Sequence, residues 1–360
     1  MNSVTDAAAS AAQGRPDRIV DNPMFQERVR EMVIECGADP SSADGEIVTD
    51  LVLNALKLVT DERDRGELKL LRAAFKEMRY AYNVFDRYKD VQKISIFGSA
   101  RTDPNHPDYL AAVDFSRAMA QRGWLSITGA GDGIMRAGHE GPGRESSFGL
   151  AINLPFETSA NDIILGDEKL INFRYFFTRK LMFVSQSSAV AVFPGGFGTQ
   201  DEIFEALTLI QTGKSAMVPV VLVEGEDGVY WKHWLNYIEK SLLEGGFISP
   251  EDLNLFHVAK STEDAAAYVC EFFTNYHSSR YVGDDYVLRM KKPLTPEAVA
   301  KINDEFGVLV RSGSITQRGA YPIEDEFMDL PRLAFTHTRY KIGLLRQLID
   351  RVNDPANIAE

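Results

Sequence analysis

The spacing of apolar residues changes along the chain and divides it into regions with different secondary structure. Near the N-terminus, apolar residues recur at helical intervals, as at Leu68, Leu71 and Phe75. Further on, short apolar runs alternate with helical segments, and the last part of the chain has a mixed pattern. We therefore predict four regions: a disordered small-residue tail at 1–20, a helical extension at 21–90, an α/β domain at 91–277 and an α+β extension at 278–360.

Strand-sized runs in the α/β region are apolar on both faces. V-Q-K-I-S-I-F-G-S at 91–99 and A-V-A-V-F at 189–193 both lead toward helical segments, and a helix predicted at Asn172–Gln186 precedes the second run. Such an alternation is typical of a parallel sheet covered by helices on both sides. We predict a Rossmann-like three-layer α/β/α fold with a parallel sheet. In the C-terminal region the pattern predicts strands at Tyr286–Met290 and Val308–Val310 and helices at Pro296–Glu305 and Thr338–Val352.

The charge balance restricts the partners that this chain can have. It carries 39 Lys and Arg against 52 Asp and Glu over 360 residues, a net charge of −13. Nucleic acids and anionic membranes attract a surplus of basic residues, so neither is a predicted partner. The longest apolar runs, such as Val218–Val223, are too short to span a bilayer. The N-terminal residues lack the pattern of a secretory signal.

Cysteine and histidine usage argues against a metal centre. The two cysteines, Cys36 and Cys270, are far apart, which fits a reducing cytosol and predicts a cytoplasmic protein. The six histidines form no H-x-x-x-H or H-E-x-x-H pair, and the chain has neither a P-loop nor a G-x-S-x-G motif. We predict that the protein uses no metal ion and no cofactor.

Three turns follow predicted parallel strands, at 97–101, 128–135 and 194–202. Ligands of open α/β sheets bind at the carboxyl ends of the strands, where these turns lie. The second turn has glycines at 129, 131 and 133, which is not the G-x-G-x-x-G spacing of a dinucleotide site. The alternative is that these glycines only make tight strand-to-helix connections.

The third turn, P-G-G-F-G-T, offers a site for an anion. Gly195, Gly196 and Gly198 allow several backbone N–H groups to point at one spot beside a helix N-terminus, and the Thr199 hydroxyl can join them. Glu202 follows on the same helix face. A phosphate site beside a carboxylate suits chemistry on a phosphorylated sugar. The alternative is a capping box between Thr199 and Glu202 with no functional role.

A pair of basic residues lies in the otherwise apolar helix F-R-Y-F-F-T-R-K-L-M-F-V-S. Cations in such a helix usually extend to solvent at its edge, which is the structural interpretation of Arg179 and Lys180. The functional interpretation is that Arg179 enters the cleft at the sheet edge, because this helix directly precedes the A-V-A-V-F strand.

Together these motifs resemble the LOG family of cytokinin riboside 5′-monophosphate phosphoribohydrolases, once mislabelled lysine decarboxylases. The family pattern is Arg-Lys followed by P-G-G-x-G-T-x-x-E, and this chain meets it at 179–180 and 194–202. The turns at 97–99 and 129–135 are similar to the family's other nucleotide-contacting loops. The resemblance covers about 91–275. The N- and C-terminal extensions are more similar to the larger bacterial nucleotide 5′-monophosphate nucleosidases, and the loop T-G-A-G-D-G-I-M departs from the family's triple-glycine form.

The resemblance implies hydrolysis of the N-glycosidic bond of a nucleoside 5′-monophosphate, which gives free base and ribose 5-phosphate. The implied substrates are AMP-like purine or pyrimidine nucleotides or cytokinin riboside monophosphates, and the implied assembly is a homodimer or a higher homo-oligomer. The implied catalytic residues are Glu202 and Arg179. The implied substrate-binding residues are Gly195, Gly196, Gly198, Thr199, Ser99, Gly131, Gly133 and Lys180.

Other functions on the same fold remain alternatives. A non-catalytic carrier of a nucleotide or phosphorylated cofactor shares the phosphate turn, but such a carrier has no need to keep both Arg179 and Glu202. A DNA-processing Rossmann protein conflicts with the net charge of −13. A lysine decarboxylase conflicts with the absence of a recognisable pyridoxal-phosphate lysine.

Overall fold

A computed structural model describes residues 19–152 and 160–359. The predicted tail at 1–20 lies outside the described residues except for its last two positions. The chain divides into two compact units, one up to Lys76 and one from Glu77 onward.

Helices form the first unit. Asn22 caps the first of them by accepting a hydrogen bond from the Met24 N–H at 2.9 Å, and Ser42 caps the second by accepting from Gly45 at 3.1 Å. A third helix begins in this unit and ends in the second. The three helices are α1 (Pro23–Glu35), α2 (Ala43–Thr60) and α3 (Arg65–Asp86).

A seven-stranded parallel sheet is the centre of the second unit, with strand order β4-β3-β2-β1-β5-β6-β7. Chain order thus reverses beside β1, where the next neighbour is β5. The strands are β1 (Lys93–Phe97), β2 (Leu125–Thr128), β3 (Ser147–Ile152), β4 (Leu170–Phe173), β5 (Ala189–Val192), β6 (Val220–Leu222) and β7 (His257–Val258). The helices between and after them are α4 (Pro107–Gln121), α5 (Ile134–Glu140), α6 (Phe176–Ser185), α7 (Phe197–Gln211), α8 (Tyr230–Tyr237) and α9 (Thr262–Glu271).

Alternate residues of the central strands pack against helices on opposite faces of the sheet. In β5, Ala189 and Ala191 lie in the core with α4 and α9, whereas Val190 and Val192 pack with α7. Helices therefore cover both faces. The predicted three-layer α/β/α fold with a parallel sheet is confirmed.

The edge strand β4 corrects the sequence-based prediction of a helix from Asn172. Asn172 lies in β4, with Ile171 and Phe173 fully buried on either side, and the helix α6 begins only at Phe176. The run L-I-N-F is too short to show a clear period of two, so the helical pattern that follows it dominated the prediction.

The C-terminal residues form a four-stranded antiparallel sheet with the order β10-β11-β9-β8. Only β9 matches a predicted strand well. The predicted strand at Val308–Val310 is largely a 3₁₀ turn, and the other three strands of this sheet were not predicted, although β10 begins at Val310. The strands β8 and β10 contain few apolar residues, so neither shows a clear alternation of apolar and polar positions. The elements are β8 (Tyr276–Val282), β9 (Asp285–Met290), α10 (Pro296–Phe306), β10 (Val310–Arg318), β11 (Arg332–His337) and α11 (Ile342–Asn353).

A buried ion cluster joins β9 and β11 to the connection between β10 and β11. The Glu324 carboxylate accepts hydrogen bonds from Arg289 Nη2 at 2.7 Å and Arg332 Nε at 3.3 Å. Burial alone raises the pKa of Glu324, but hydrogen bonds from the Tyr321 N–H and the two guanidinium groups lower it to about 2. The carboxylate therefore stays charged and paired at neutral pH.

Candidate active site

A cleft of about 840 Å³ lies at the carboxyl ends of β1, β2 and β5. It adjoins the point where the strand order reverses, which is the usual ligand position in an open α/β sheet. The lining residues are Phe97, Gly98, Ser99, Ala100 and Arg101 after β1, Gly129 and Met135 after β2, Phe176, Arg179 and Phe183 of α6, and Gly195, Gly196, Phe197, Gly198, Thr199, Gln200, Asp201 and Glu202 of the third turn and α7.

Most of the predicted site residues line this one cleft. They are Ser99, Arg179, Gly195, Gly196, Gly198, Thr199 and Glu202. Three others lie outside its lining, namely Gly131, Gly133 and Lys180. A side chain at Gly131 would lie 2.7 Å from Met135 Cε, and one at Gly133, where φ is +59°, would lie 2.3 Å from the Ser99 carbonyl oxygen. Gly133 therefore allows the second turn to pack closely against the first, and Gly131 leaves room for the Met135 side chain.

The third turn brings the N-terminus of α7 into the cleft. Helix α7 begins at Phe197 with Gly196 as N-cap, so the first N–H groups have no acceptor within the helix and lie at the positive end of its dipole. Thr199 is therefore the third helical residue and not the cap. The alternative of a Thr199–Glu202 capping box is wrong, because Gly196 takes the N-cap position.

The glycines of this turn have different roles. A Cβ at Gly195 would lie 2.1 Å from Thr199 Oγ1 and 3.0 Å from the Ser99 nitrogen, whereas a Cβ at Gly196 or Gly198 would meet nothing within 4 Å. Only Gly195 is sterically obligatory. The other two leave the backbone open toward the cleft.

A chain of hydrogen bonds from α8 holds the turn in place. The Tyr230 hydroxyl donates to the Gly195 carbonyl at 2.5 Å and accepts from Gln200 Nε2 at 2.7 Å. Trp234 Nε1 donates to Gln200 Oε1 at 2.9 Å, and the Ser99 N–H donates to the Pro194 carbonyl at 3.1 Å. The sequence gives no signal for Tyr230 and Trp234, since they follow the turn by about thirty residues.

Glu202 and the two basic residues of α6 dominate the electrostatics. Burial raises the pKa of Glu202 to about 7, although the positive charges of Lys180 and Arg179 oppose this shift. Lys180 is held by Asp201 at 2.7 Å and by Glu205 at 2.6 Å. The guanidinium carbon of Arg179 lies 5.2 Å from the Phe176 ring centre. Such a carboxyl group can exchange a proton near neutral pH.

Neither a metal centre nor a membrane span is found in the described parts of the chain. No group of three or more His, Cys, Asp or Glu in residues 19–152 and 160–359 has the geometry to hold a metal ion. No helix in these ranges is long and apolar enough to cross a membrane. The buried His139 instead contacts the Thr128 hydroxyl at 2.9 Å and the Phe148 carbonyl at 3.0 Å.

Comparison with known proteins finds similarities in the α/β region. Residues 130–269 match a family model described as "Possible lysine decarboxylase". A cytokinin riboside 5′-monophosphate phosphoribohydrolase of Mycobacterium tuberculosis is 29% identical over 171 residues, which are 45% of this chain and 86% of the relative. A probable enzyme of the same name from Oryza sativa subsp. japonica, LOG4, is 28% identical over 188 residues, 50% of this chain and 77% of the relative.

Among solved structures, the molybdenum cofactor carrier protein of Chlamydomonas reinhardtii covers 50% of this chain and 97% of its own length, at 20% identity and a TM-score of 0.37. A likeness at this TM-score says nothing about what this chain binds. The class that fold and cleft define is a Rossmann-like α/β protein with a glycine-rich turn at a helix N-terminus. The family model and these relatives confirm the resemblance to the LOG family seen in the sequence.

Substitutions at neighbouring glycines test the packing of the turn. Gly195→Ala forces a methyl group against Thr199 and the Ser99 backbone, and we expect it to lower the free energy of unfolding by about 1–3 kcal/mol. Gly196→Ala, where a Cβ is unobstructed, is the matched control, with a change of less than about 0.5 kcal/mol. Urea unfolding measures both. Equal stability of the two variants would contradict the close approach at Gly195.

The raised pKa of Glu202 predicts a pH-dependent cost to stability. The folded protein retains a proton on Glu202 that the unfolded chain loses above its ordinary pKa, so stability falls as pH rises from about 4.5 to 7. We expect Glu202→Gln to have the melting temperature of the parent at pH 5 and a higher one at pH 8. Glu239→Gln, which removes an exposed carboxylate outside the cleft, is the control without such a gain. The same difference at both pH values would show that the Glu202 carboxyl has an ordinary pKa.

Proposed function

We propose that this chain hydrolyses the N-glycosidic bond of a nucleoside 5′-monophosphate and releases free base and ribose 5-phosphate. The observation that carries the proposal is that one cleft contains both a helix N-terminus suited to a phosphate and a half-buried carboxyl group, Glu202, with a pKa of about 7. The relatives named as phosphoribohydrolases are consistent with this reaction.

The 5′-phosphate is bound, in this proposal, by the first turn of α7. The N–H groups of Phe197, Gly198 and Thr199 have no intrahelical acceptor and face the positive end of the helix dipole. The Thr199 hydroxyl and Ser99 lie in the same cleft. A turn of this size accommodates one phosphate group, so a monophosphate fits better than a triphosphate.

The chemistry requires stabilisation of an oxocarbenium-like transition state as the C1′–N bond breaks. The ionised Glu202 carboxylate stabilises the positive charge on the ribose and accepts a proton from the attacking water, whose oxygen forms the new bond to C1′. The base leaves with the bonding electron pair and takes up a proton from solvent, and Glu202 returns to solvent the proton that it accepted from the water. Arg179 orients the substrate and balances the negative charge that develops on the departing base. No step requires a metal ion or a cofactor.

The rest of the cleft is suited to a base. Phe97, Met135, Phe176 and Phe183 line it and offer an apolar surface beside the proposed phosphate position. We propose that AMP-like nucleotides or cytokinin riboside monophosphates are the substrates. Lys180, paired with Asp201 and Glu205, supports the site by orienting the start of α7.

We further propose that the protein is a homodimer or a higher homo-oligomer that works in the cytoplasm without nucleic-acid or membrane partners. Helices α6 and α7 support the assembly, because they carry the exposed apolar side chains Phe177, Leu181 and Phe197, the last of them 96% exposed. The net charge of −13 supports the absence of anionic partners.

Incubation with AMP, adenosine and ATP, with free base and ribose 5-phosphate followed by chromatography, tests the proposal. We expect cleavage of AMP, little cleavage of adenosine and slower cleavage of ATP than of AMP. Glu202→Gln should lower kcat for AMP by about 10²–10⁴ while AMP still binds, because other groups hold the phosphate. Glu239→Gln, which removes an exposed carboxylate outside the cleft, should keep kcat within a few-fold of the parent.

Two outcomes would contradict the proposal. Equal rates on adenosine and AMP would mean that the turn at 194–199 does not bind the 5′-phosphate. Tight binding of nucleotides without any turnover in the parent protein would favour the alternative of a non-catalytic carrier.

A further inference from the structure

Helix α6, which carries Arg179, begins without a cap of its own. Its N-cap residue, Tyr175, makes no side-chain hydrogen bond to the first turn. Thr178 in that first turn is fully buried, and its hydroxyl lies 2.9 Å from the Tyr175 carbonyl oxygen. Further partners for the start of this helix come from elsewhere in the chain.

A carboxylate from α3 supplies these partners. Glu77 Oε1 accepts a hydrogen bond from the Arg174 N–H at 3.0 Å, and Glu77 Oε2 accepts from Thr178 Oγ1 at 2.9 Å. The two contacts join residues that are 97 and 101 positions apart in the sequence. One side chain thus holds both the connection from β4 and the first turn of α6, and its negative charge is favourable at a helix N-terminus.

The backbone that carries Glu77 is itself firmly packed. Ala81 and Phe85 follow Glu77 at intervals of four residues, so all three lie on one face of α3. Ala81 and Phe85 are buried in a core cluster that includes Met182 and Phe183 of α6, and the Phe85 ring stacks on Phe148 at 4.6 Å. Glu77 therefore lies one helical turn from a packed contact between α3 and α6, and its side chain reaches the start of α6.

We propose that Glu77 is a positioning residue that sets the place of Arg179 in the cleft. Arg179 directly follows Thr178, and its guanidinium lies over the Phe176 and Phe183 rings, at 5.2 and 5.8 Å from their centres, which are fixed by the same helix. A shift of the first turn moves Arg179 relative to Glu202. This inference rests on the proposed function for its effect on turnover, but the anchoring contact itself does not.

The kinetic test compares Glu77→Ala and Glu77→Gln with Asp86→Asn, a control that removes an exposed carboxylate from the same helix. We expect Glu77→Ala to lower kcat for AMP roughly 10- to 100-fold, with KM within about threefold, because the phosphate is held by α7. The acidic limb of its pH profile should move to higher pH, since the charge of Arg179 that lowers the pKa of Glu202 is farther away. Glu77→Gln keeps one acceptor oxygen, so its kcat should lie between those of the parent and Glu77→Ala.

Hydrogen exchange without substrate tests the anchor independently of catalysis. We expect the Arg174 amide to exchange about five- to tenfold faster in Glu77→Ala than in the parent or in Asp86→Asn, because its acceptor is lost. Unchanged exchange would overturn the anchor. Faster exchange with the kcat and acidic limb of the parent would overturn the positioning role and leave the proposed function intact. A parent protein without nucleosidase activity would overturn the proposed function and, with it, the effect on turnover.

Discussion

The close approach of Gly195 to Thr199 is the constraint on which the cleft depends. Because residue 195 has no side chain, the first turn of α7 lies directly over the end of β5, and its N–H groups reach the same space as the loop after β1. Tyr230 and Ser99 then fix the turn through hydrogen bonds to the Gly195 and Pro194 carbonyls. A larger residue at 195 separates these elements, and the cleft loses its shape.

Charge is distributed unequally around this turn. Lys180 forms ion pairs with Asp201 and Glu205, so its positive charge compensates the negative charge of these carboxylates near the start of α7. Glu202 is more buried, and its raised pKa shows that the basic residues only partly offset its desolvation. A carboxyl group in this condition lowers stability above neutral pH and is suited to proton transfer. The cost to stability and the proposed chemistry thus have the same physical origin.

The parallel core and the glycine-rich turn could be predicted because their signals are local. The A-V-A-V-F run, the turn after it and the helix that follows are contiguous, and the Arg-Lys pair precedes them by only a few residues. The edge strand β4 and the polar strands β8 and β10 were not predicted, because a strand that is short or has few apolar residues shows little periodicity. The roles of Tyr230 and Glu77 could not be predicted, because their hydrogen-bond partners are 35 and about 100 residues away in the sequence and only the folded chain brings them together.

The central claim is that Arg179 and Glu202 act as one unit in glycosidic cleavage. The double variant of these two residues tests this claim most directly. The measurement is kcat for AMP in Arg179→Ala, in Glu202→Gln and in the double variant. If both residues serve the same transition state, the double variant should lie within about threefold of the worse single variant, because residues that act as a unit are not additive. If the two losses multiply, the residues contribute independently, and the account of a joint catalytic centre is contradicted.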